Sequence, residues 1–260
     1  MSFSTPKLSL SEMLALARRL GYDGIEPRIG EGHAHGVEIA ATPAQRAEAK
    51  RLAEAAGIQL CCVATSIQYS NPAETDRQVE ETRQAIDLAG DVGAPAIRVF
   101  GGPLPKGLKR YEAIRLVTAS LESVVDVARR CHVVVALETH DDWSDPAYVA
   151  EVMRRVDDPG IAVNWDFMHP GRAPGATVDE SFALLRSWIR HVHVHDGILH
   201  DDGRITLKPI GQGDVDVKRA FALLEGIGYG GYLSGEWINW EPADVHLPRE
   251  LAAMKSLGAK

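Results

Sequence analysis

Helical stretches and short apolar runs take turns along the whole chain, and this rhythm leaves few folds open. Amphipathic helical patterns occupy residues 9–20, 43–56, 74–92, 110–130, 145–156, 178–186, 217–227 and 248–257. Between them lie apolar runs at 24–26, 58–65, 96–100, 133–139, 161–167, 191–196 and 231–237, and a short first strand is expected at 1–4, where the apolar signal almost vanishes. Runs this short, bounded by turn residues, read as strands. Gly21, Gly57, Gly93 and Gly228 stand where a helix closes on a left-handed cap before the next strand. Eight strand-and-helix units predict the α/β class and a single (β/α)8 TIM barrel over residues 1–260, since no linker or step in composition divides the chain. An open doubly wound sheet is the alternative, but no G-x-G-x-x-G turn follows a strand.

In such a barrel, active groups gather at the C-terminal ends of the strands. The strand ends here carry Glu138 in "ALETH", Asp166 in "WDFMHP", His193 in "HVHVHD" and Glu236 in "LSGEW". Alternation of period two places Ala136, Glu138 and His140 on one face of their strand, and His191, His193 and His195 on one face of theirs. Taken singly, each has an ordinary reading as a rim carboxylate, a turn cap or a satisfied barrel histidine. Taken together, they converge on one mouth. Three carboxylates buried side by side raise one another's pKa, and a divalent cation reduces their charge from −3 to about −1. One divalent metal held by Glu138, Asp166, His193 and Glu236 is therefore expected. The oxygen-rich donor set suits manganese, magnesium or cobalt, whereas a structural zinc site would use more sulfur and nitrogen; manganese is the first expectation, with cobalt, magnesium or zinc possible.

Composition narrows the partners. With 36 Asp and Glu against 28 Lys and Arg, the net charge is −8, which argues against a nucleic-acid surface. No run approaches a membrane span and the N-terminal stretch lacks the pattern of an export signal, so no membrane partner and a cytoplasmic location are expected. Cys61 and Cys62 are adjacent and Cys131 is remote, a spacing that suits reduced packing residues. A small molecule is the expected partner, and a homo-oligomer is left open.

The motifs "GYDGIEPR" (21–28), "ALETH" (136–140), "WDFMHP" (165–170), "HVHVHDG" (191–197), "PIGQGDVD" (209–216) and "YLSGEW" (232–237) resemble those of the xylose isomerase-like barrel superfamily, in its sugar phosphate isomerase and epimerase group. The resemblance implies that Glu138, Asp166, His193 and Glu236 share one metal, commonly manganese or cobalt, and that His169 contacts substrate oxygens. It further implies that Glu138 and Glu236 move protons on opposite faces of the substrate, that His195 stands where a lysine near the substrate is frequent, and that His191 lies a layer deeper as barrel filling. His140 and Lys208 are further candidates for substrate contact. Glu26 ends a strand and is read either as a substrate contact or as a rim salt bridge. His33 and His35 read as an exposed loop pair, Asp141 and Asp142 as caps of the helix near Asp145, and Trp143, Trp237 and Trp240 as either pocket walls or a subunit contact. The group's frequent "GEG" is replaced by "GQG", with Gln212 at its centre.

A metal-chelated α-hydroxy carbonyl loses its neighbouring carbon-bound proton more easily, because the cation holds the charge that grows on oxygen. With Glu138 or Glu236 as base, return of the proton to the opposite face gives epimerisation. Return to the neighbouring carbon gives aldose and ketose interconversion, and loss of a β-hydroxyl gives dehydration. The leading expectation is an isomerase or epimerase of a small sugar or sugar derivative. The alternative is a dehydratase or lyase of inosose or keto-sugar type. An apurinic endonuclease of the same fold needs further histidines at the ends of strands two to four, which "CCVATS" and "IRVFGG" do not supply. A module that only binds sugar would keep the ligands without needing paired bases.

Overall fold

The structure, a computed structural model, describes residues 1–172, 176–200 and 204–259. Nine α-helices and ten strands are assigned among the described residues. In chain order they begin α1 (Leu10–Leu20), β1 (Gly24–Ile25), α2 (Pro43–Ala56), β2 (Gln59–Leu60), β3 (Val63–Gln68), α3 (Thr75–Val92) and β4 (Ala96–Phe100). Then come α4 (Arg110–Glu122), α5 (Val125–Cys131), β5 (Val134–Glu138), α6 (Pro146–Val156), β6 (Ile161–Asp166), α7 (Val178–Leu185) and β7 (Ile189–Val194). The chain closes with a hairpin of β8 (Asp196–Leu199) and β9 (Ile205–Lys208), followed by α8 (Val217–Gly226), β10 (Leu233–Gly235) and α9 (Ala243–Ser256).

Helix starts follow local chemistry. Ser9 with Glu12, Thr42 with Gln45 and Thr177 with Glu180 form reciprocal capping boxes, each satisfying amides that a helix start leaves free. Gly21, Gly57 and Gly93 close α1, α2 and α3 in the left-handed conformation. The strands form a six-stranded parallel sheet in the order β10, β7, β6, β5, β4, β3. A parallel pair of β1 with β2 continues it, because Arg28, just past β1, bridges to Ala64 in β3. Val63, Ile97, Val135, Val163 and Val192 are fully buried, as strands between a helix layer and a packed barrel interior must be.

Several sequence expectations shift. A continuous ring of eight strands is not assigned among the described residues: residues 1–4 make a 3-10 turn at Ser2–Ser4 rather than a strand. Met1 and Phe3 alternate there with Ser2 and Ser4, but the Ser4 and Thr5 amides bond back to the Met1 and Ser2 carbonyls, which curls the stretch into a turn. The helix expected over 110–130 breaks into α4 and α5, with the Ser123 hydroxyl donating back to the Ser120 carbonyl at the junction. The strand expected over 58–65 divides into β2 and β3 and runs on to Gln68. The last helix starts at Ala243, so Pro248 lies inside it rather than at its start. The β8–β9 hairpin was not anticipated, and residues 201–203 between its strands lie outside the described residues. Cys61 and Cys62 are buried free thiols and Cys131 is half-buried and free. No described helix is long and apolar enough to cross a membrane.

Candidate metal centre

The sheet register brings the expected ligands to one end of the strands. Asp166 on β6 sits opposite His193 on β7, His193 sits opposite Ser234 on β10, and Glu138 ends β5. Glu236 follows β10, its amide bonded to the Val194 carbonyl at 3.0 Å. The Thr139 hydroxyl donates to the Asp166 carbonyl at 2.8 Å and accepts from the Asp166 amide at 3.1 Å, tying β5 to β6 at the ligand level. Glu138, Asp166, His193 and Glu236 are all buried, and each offers one donor atom within 4.8 Å of the other three.

His193 is the hub. Its Nδ1 lies 3.4 Å from Glu138 Oε1 and 3.4 Å from Glu236 Oε2, while its Nε2 lies 3.1 Å from Glu26 Oε1. Burial works against a charged His193, yet Glu26, Glu138 and Glu236 hold its pKa well above the ordinary imidazole value. Glu26 is fully buried beneath the cluster, and its other oxygen takes the His191 ring at 2.9 Å and the Ser234 hydroxyl. Neither a rim salt bridge nor an open position at the mouth describes it. Despite complete burial, His193 and His191 hold its pKa well below the usual carboxylate range. A carboxylate gripping Nε2 turns Nδ1 toward the other three donors, the arrangement that orients metal-binding histidines.

Asp166 supports a second tier. Its Oδ1 accepts the Met168 amide at 3.0 Å, and its Oδ2 lies 2.7 Å from His195 Nε2 and 3.6 Å from His169 Nε2. The difference in distance separates the two rings. Burial disfavours charge on both, but the close Asp166 contact raises the His195 pKa, whereas His169 is lowered to about 4. Asp166 and Glu236, though buried, are both held well below the carboxylate range, Asp166 by His195 and His169, Glu236 by His193 and Arg98. His140 is half-buried, packs its ring 4.2 Å from that of His169 and places Nδ1 2.8 Å from Asp141 Oδ1. Burial opposes its charge, but Asp141 and Glu138 raise its pKa. His140, His169 and His195 thus form an arc of rings beside the cluster.

Arg98 is the residue that sequence reasoning missed. It is buried on β4, with Nε 2.9 Å from Glu138 Oε2 and Nη2 4.0 Å from Glu236 Oε1. Its Nη1 donates to the Thr65 carbonyl at 2.8 Å, and its guanidinium lies 4.0 Å from the Phe100 ring centre. The signal was the alternation of "AIRVF", which puts a charged side chain inside a buried strand. Three carboxylates and one guanidinium still leave two negative charges, the complement of a divalent ion. Both Glu138 oxygens and His193 Nδ1 are buried without an aligned hydrogen-bond partner among the described residues. Unpaired buried acceptors are costly, and the donor set of three carboxylates and one imidazole fits a cation at this point.

Other expected residues fall elsewhere. Lys208 ends β9 opposite Asp196, and no described contact joins it to the cluster. Asp196 is buried and accepts the amides of Gly197, Gly211, Gly213 and Val215 at 2.8 to 3.2 Å, so "PIGQGDVD" is folded around one carboxylate. A Cβ on Gly213 would lie 2.1 Å from Asp196 Oδ1, which explains the glycine. His35 is not exposed: it is buried, with Nε2 3.1 Å from the Arg28 carbonyl and Nδ1 accepting the Val37 amide, while His33 is half-buried against the Ser2 hydroxyl. Asp145, not Asp141 or Asp142, caps α6; Asp141 faces His140 and Asp142 accepts the Leu104 amide. His191 pairs with Glu26 rather than merely filling space. Trp143 is fully buried, bonding through Nε1 to the Gly102 carbonyl and the Ser70 hydroxyl, and Trp237 is buried against His246.

Curated relatives include a 3-dehydroshikimate dehydratase from Bacillus anthracis, 23% identical over 74% of this chain and 68% of its own length. Another is L-ribulose-5-phosphate 3-epimerase UlaE from Salmonella paratyphi B, 26% identical over 87% of this chain and 81% of its own. Among solved structures, the IOLI protein with a bound zinc atom superposes with a TM-score of 0.81 at 17% identity, covering 98% of this chain and 94% of that one. Residues 14–257 match the xylose isomerase-like TIM barrel family, to which this chain belongs.

Proposed function

We propose that the protein is a divalent-metal-dependent isomerase or epimerase of a small sugar or sugar derivative. The observation that carries this reading is the pair of buried glutamates from separate strands, Glu138 and Glu236, each 3.4 Å from the same His193 nitrogen. Glu138, Asp166, His193 and Glu236 would hold the ion, manganese by donor chemistry, with cobalt, magnesium or zinc as substitutes. When bound, the ion supplies a Lewis acid for the substrate carbonyl. One glutamate removes the proton on the adjacent carbon, and the other returns a proton to the opposite face. His169, neutral over most of the pH range because burial lowers its pKa to about 4, donates or accepts hydrogen bonds from substrate hydroxyls. His195 and His140 hold further oxygens, Lys208 on the β8–β9 hairpin is a further substrate contact, and Glu26 orients His193 from beneath the cluster. The related epimerase and the zinc-containing neighbour support the reading.

A second reading, a dehydratase or lyase acting by β-elimination, draws on one asymmetry. Arg98 sits 2.9 Å from Glu138 but 4.0 Å from Glu236, so Glu236 is the less encumbered base, and elimination needs only one. The dehydratase relative supports it. Incubation of the manganese-loaded protein with ketoses, inososes and 3-keto sugars in deuterated water, followed by NMR, separates them. Deuterium at an inverted or isomerised carbon is expected. Loss of water without inversion establishes the second reading, and loaded protein that neither exchanges nor converts any of these compounds contradicts both.

A further inference from the structure

Arg28 is a buried charge that the proposed reaction does not use. It lies just past β1 and forms a parallel bridge to Ala64 on β3, and Ala64 in turn stands in register with Arg98 on β4. Residues in register across a parallel sheet share a face. Arg28 therefore turns to the same interior face as Arg98, with the small side chain of the fully buried Ala64 between them. Its backbone is fixed on both sides: the amide donates to the Ser2 hydroxyl at 2.8 Å, and the carbonyl takes the His35 ring at 3.1 Å. Its Nη1 donates to the Ile29 carbonyl and its Nη2 to the hydroxyl of Ser66, an exposed residue toward the C-terminal end of β3. The fork thus faces the barrel mouth.

The two guanidiniums are compensated unequally. Arg98 has the buried Glu138 carboxylate at 2.9 Å. Among the described residues, Arg28 has its ion pair with Glu31 at 3.0 Å, and that side chain is 44% exposed. Burial and the nearby Arg98 lower the Arg28 pKa to about 10, and a buried charge without a buried partner is costly. Glu31 sits on a loop whose Gly30 amide is held by both oxygens of Glu38, at 2.9 and 3.2 Å, so its side chain can leave Arg28 while the backbone stays in place.

We propose that Arg28 selects the substrate: its fork binds a carboxylate carried by the sugar, the substrate class is keto-sugar acids, and Glu31 covers the fork until such a substrate displaces it. The inference rests on the metal-dependent proton abstraction proposed above and adds the acid group to it. One guanidinium offers parallel N–H donors and a single positive charge, which matches a carboxylate in shape and in charge. A phosphate dianion would leave a second charge without a partner there. Glu31 loses little on moving into water, because exposed ion pairs contribute little. Arg28 stands on the β1 and β3 side of the mouth, and the rings of His140, His169 and His195 follow β5, β6 and β7. A sugar whose carbonyl meets the glutamates would offer its hydroxyls to the imidazoles and its acid end to Arg28.

The test uses the manganese-loaded protein and matched compounds that differ only at the terminal carbon: ketohexoses, their C6 carboxylates and their 6-phosphates. The carboxylates are expected to show kcat/KM at least about 100-fold above that of the ketohexoses. Arg28→Lys keeps the charge but loses the fork, and should lower this ratio at least about tenfold, chiefly by raising KM for the acid. Glu31→Gln removes the competing carboxylate and should raise the ratio about two- to fivefold. Preference for the ketohexoses or the phosphates, or a ratio that neither variant changes, overturns the proposal. A calorimetric arm needs no turnover: the loaded protein should bind gluconate at least about tenfold more tightly than sorbitol, and Arg28→Lys should remove most of that difference. Equal binding of the two, or a difference that Arg28→Lys leaves intact because the acid sits on the metal, overturns the carboxylate site. A panel in which no sugar is converted counts against the function proposed above, whereas the calorimetric result decides on Arg28 by itself.

Discussion

The wall built by β4, β5, β6 and β7 and the seam between β1 and β10 belong to one barrel, yet they differ in kind. On the wall, every strand has a hydrogen-bonded neighbour on both sides, and Ile97, Val135, Val163 and Val192 are fully buried. At the seam, two strand edges face a cavity and the span is closed only at its top by Met1 and Ser2. The ionisable cluster draws on both regions. Glu138, Asp166 and His193 stand on the wall, Glu236 extends from the seam strand, and Glu26 reaches His193 from across the gap. A rigid wall fixes three donors at low cost, because packed cores yield little.

The sharpest break of this comparison removes a wall donor. Asp166→Ala is expected to lose the bound divalent ion completely while its far-UV circular dichroism stays that of the wild type; undiminished metal in this variant would detach the wall from the site. Glu138→Gln and Glu236→Gln compare wall and seam as proton carriers. Each keeps an oxygen able to reach a cation, so metal uptake in excess manganese should persist in part, while turnover falls about 100-fold or more. Near wild-type turnover in both would mean that neither glutamate is the base.

Protons compete with the ion for His193. Its carboxylate neighbours hold the His193 pKa well above the ordinary value despite burial, so a metal ion competes with a proton for Nδ1. Affinity for manganese should therefore fall as pH is lowered, by about tenfold per unit where one proton is released. Excess manganese should shift the acid limb of activity to lower pH, and a limb indifferent to metal concentration would assign it to another group. The smallest effect compares packing. Ile97→Ala on the wall should cost about 3–5 kcal/mol in denaturant unfolding, and Ile25→Ala at the seam about 1–2 kcal/mol, because a half-buried side chain leaves less cavity behind. Equal losses would erase the distinction.

The wall was legible in the sequence because its signals are local. Period-two alternation places Glu138 with His140 and His193 with His191, and capping residues mark the helices that separate the strands. The seam was not, because its order depends on partners far along the chain. Glu26 meets His191 and His193 across 165 and 167 residues, and Met1 meets Gly235 across 234. Residues 1–4 were expected as a short strand on a weak signal, and they form a 3-10 turn instead. Arg98 escaped notice because a charge in an apolar run suggests an edge, whereas its carboxylate neighbours come from β5 and from beyond β10. The role of Asp196 was hidden for the same reason, since its four amide partners include three from the "PIGQGDVD" stretch.

The most direct test of the metal centre is anomalous X-ray diffraction at the manganese edge from crystals grown with manganese. The account requires one peak, about 2 Å from His193 Nδ1 and from carboxylate oxygens of Glu138, Asp166 and Glu236. A peak instead among Asp166, His169 and His195, which also group closely enough to hold an ion, or no peak in the barrel mouth at all, would contradict it.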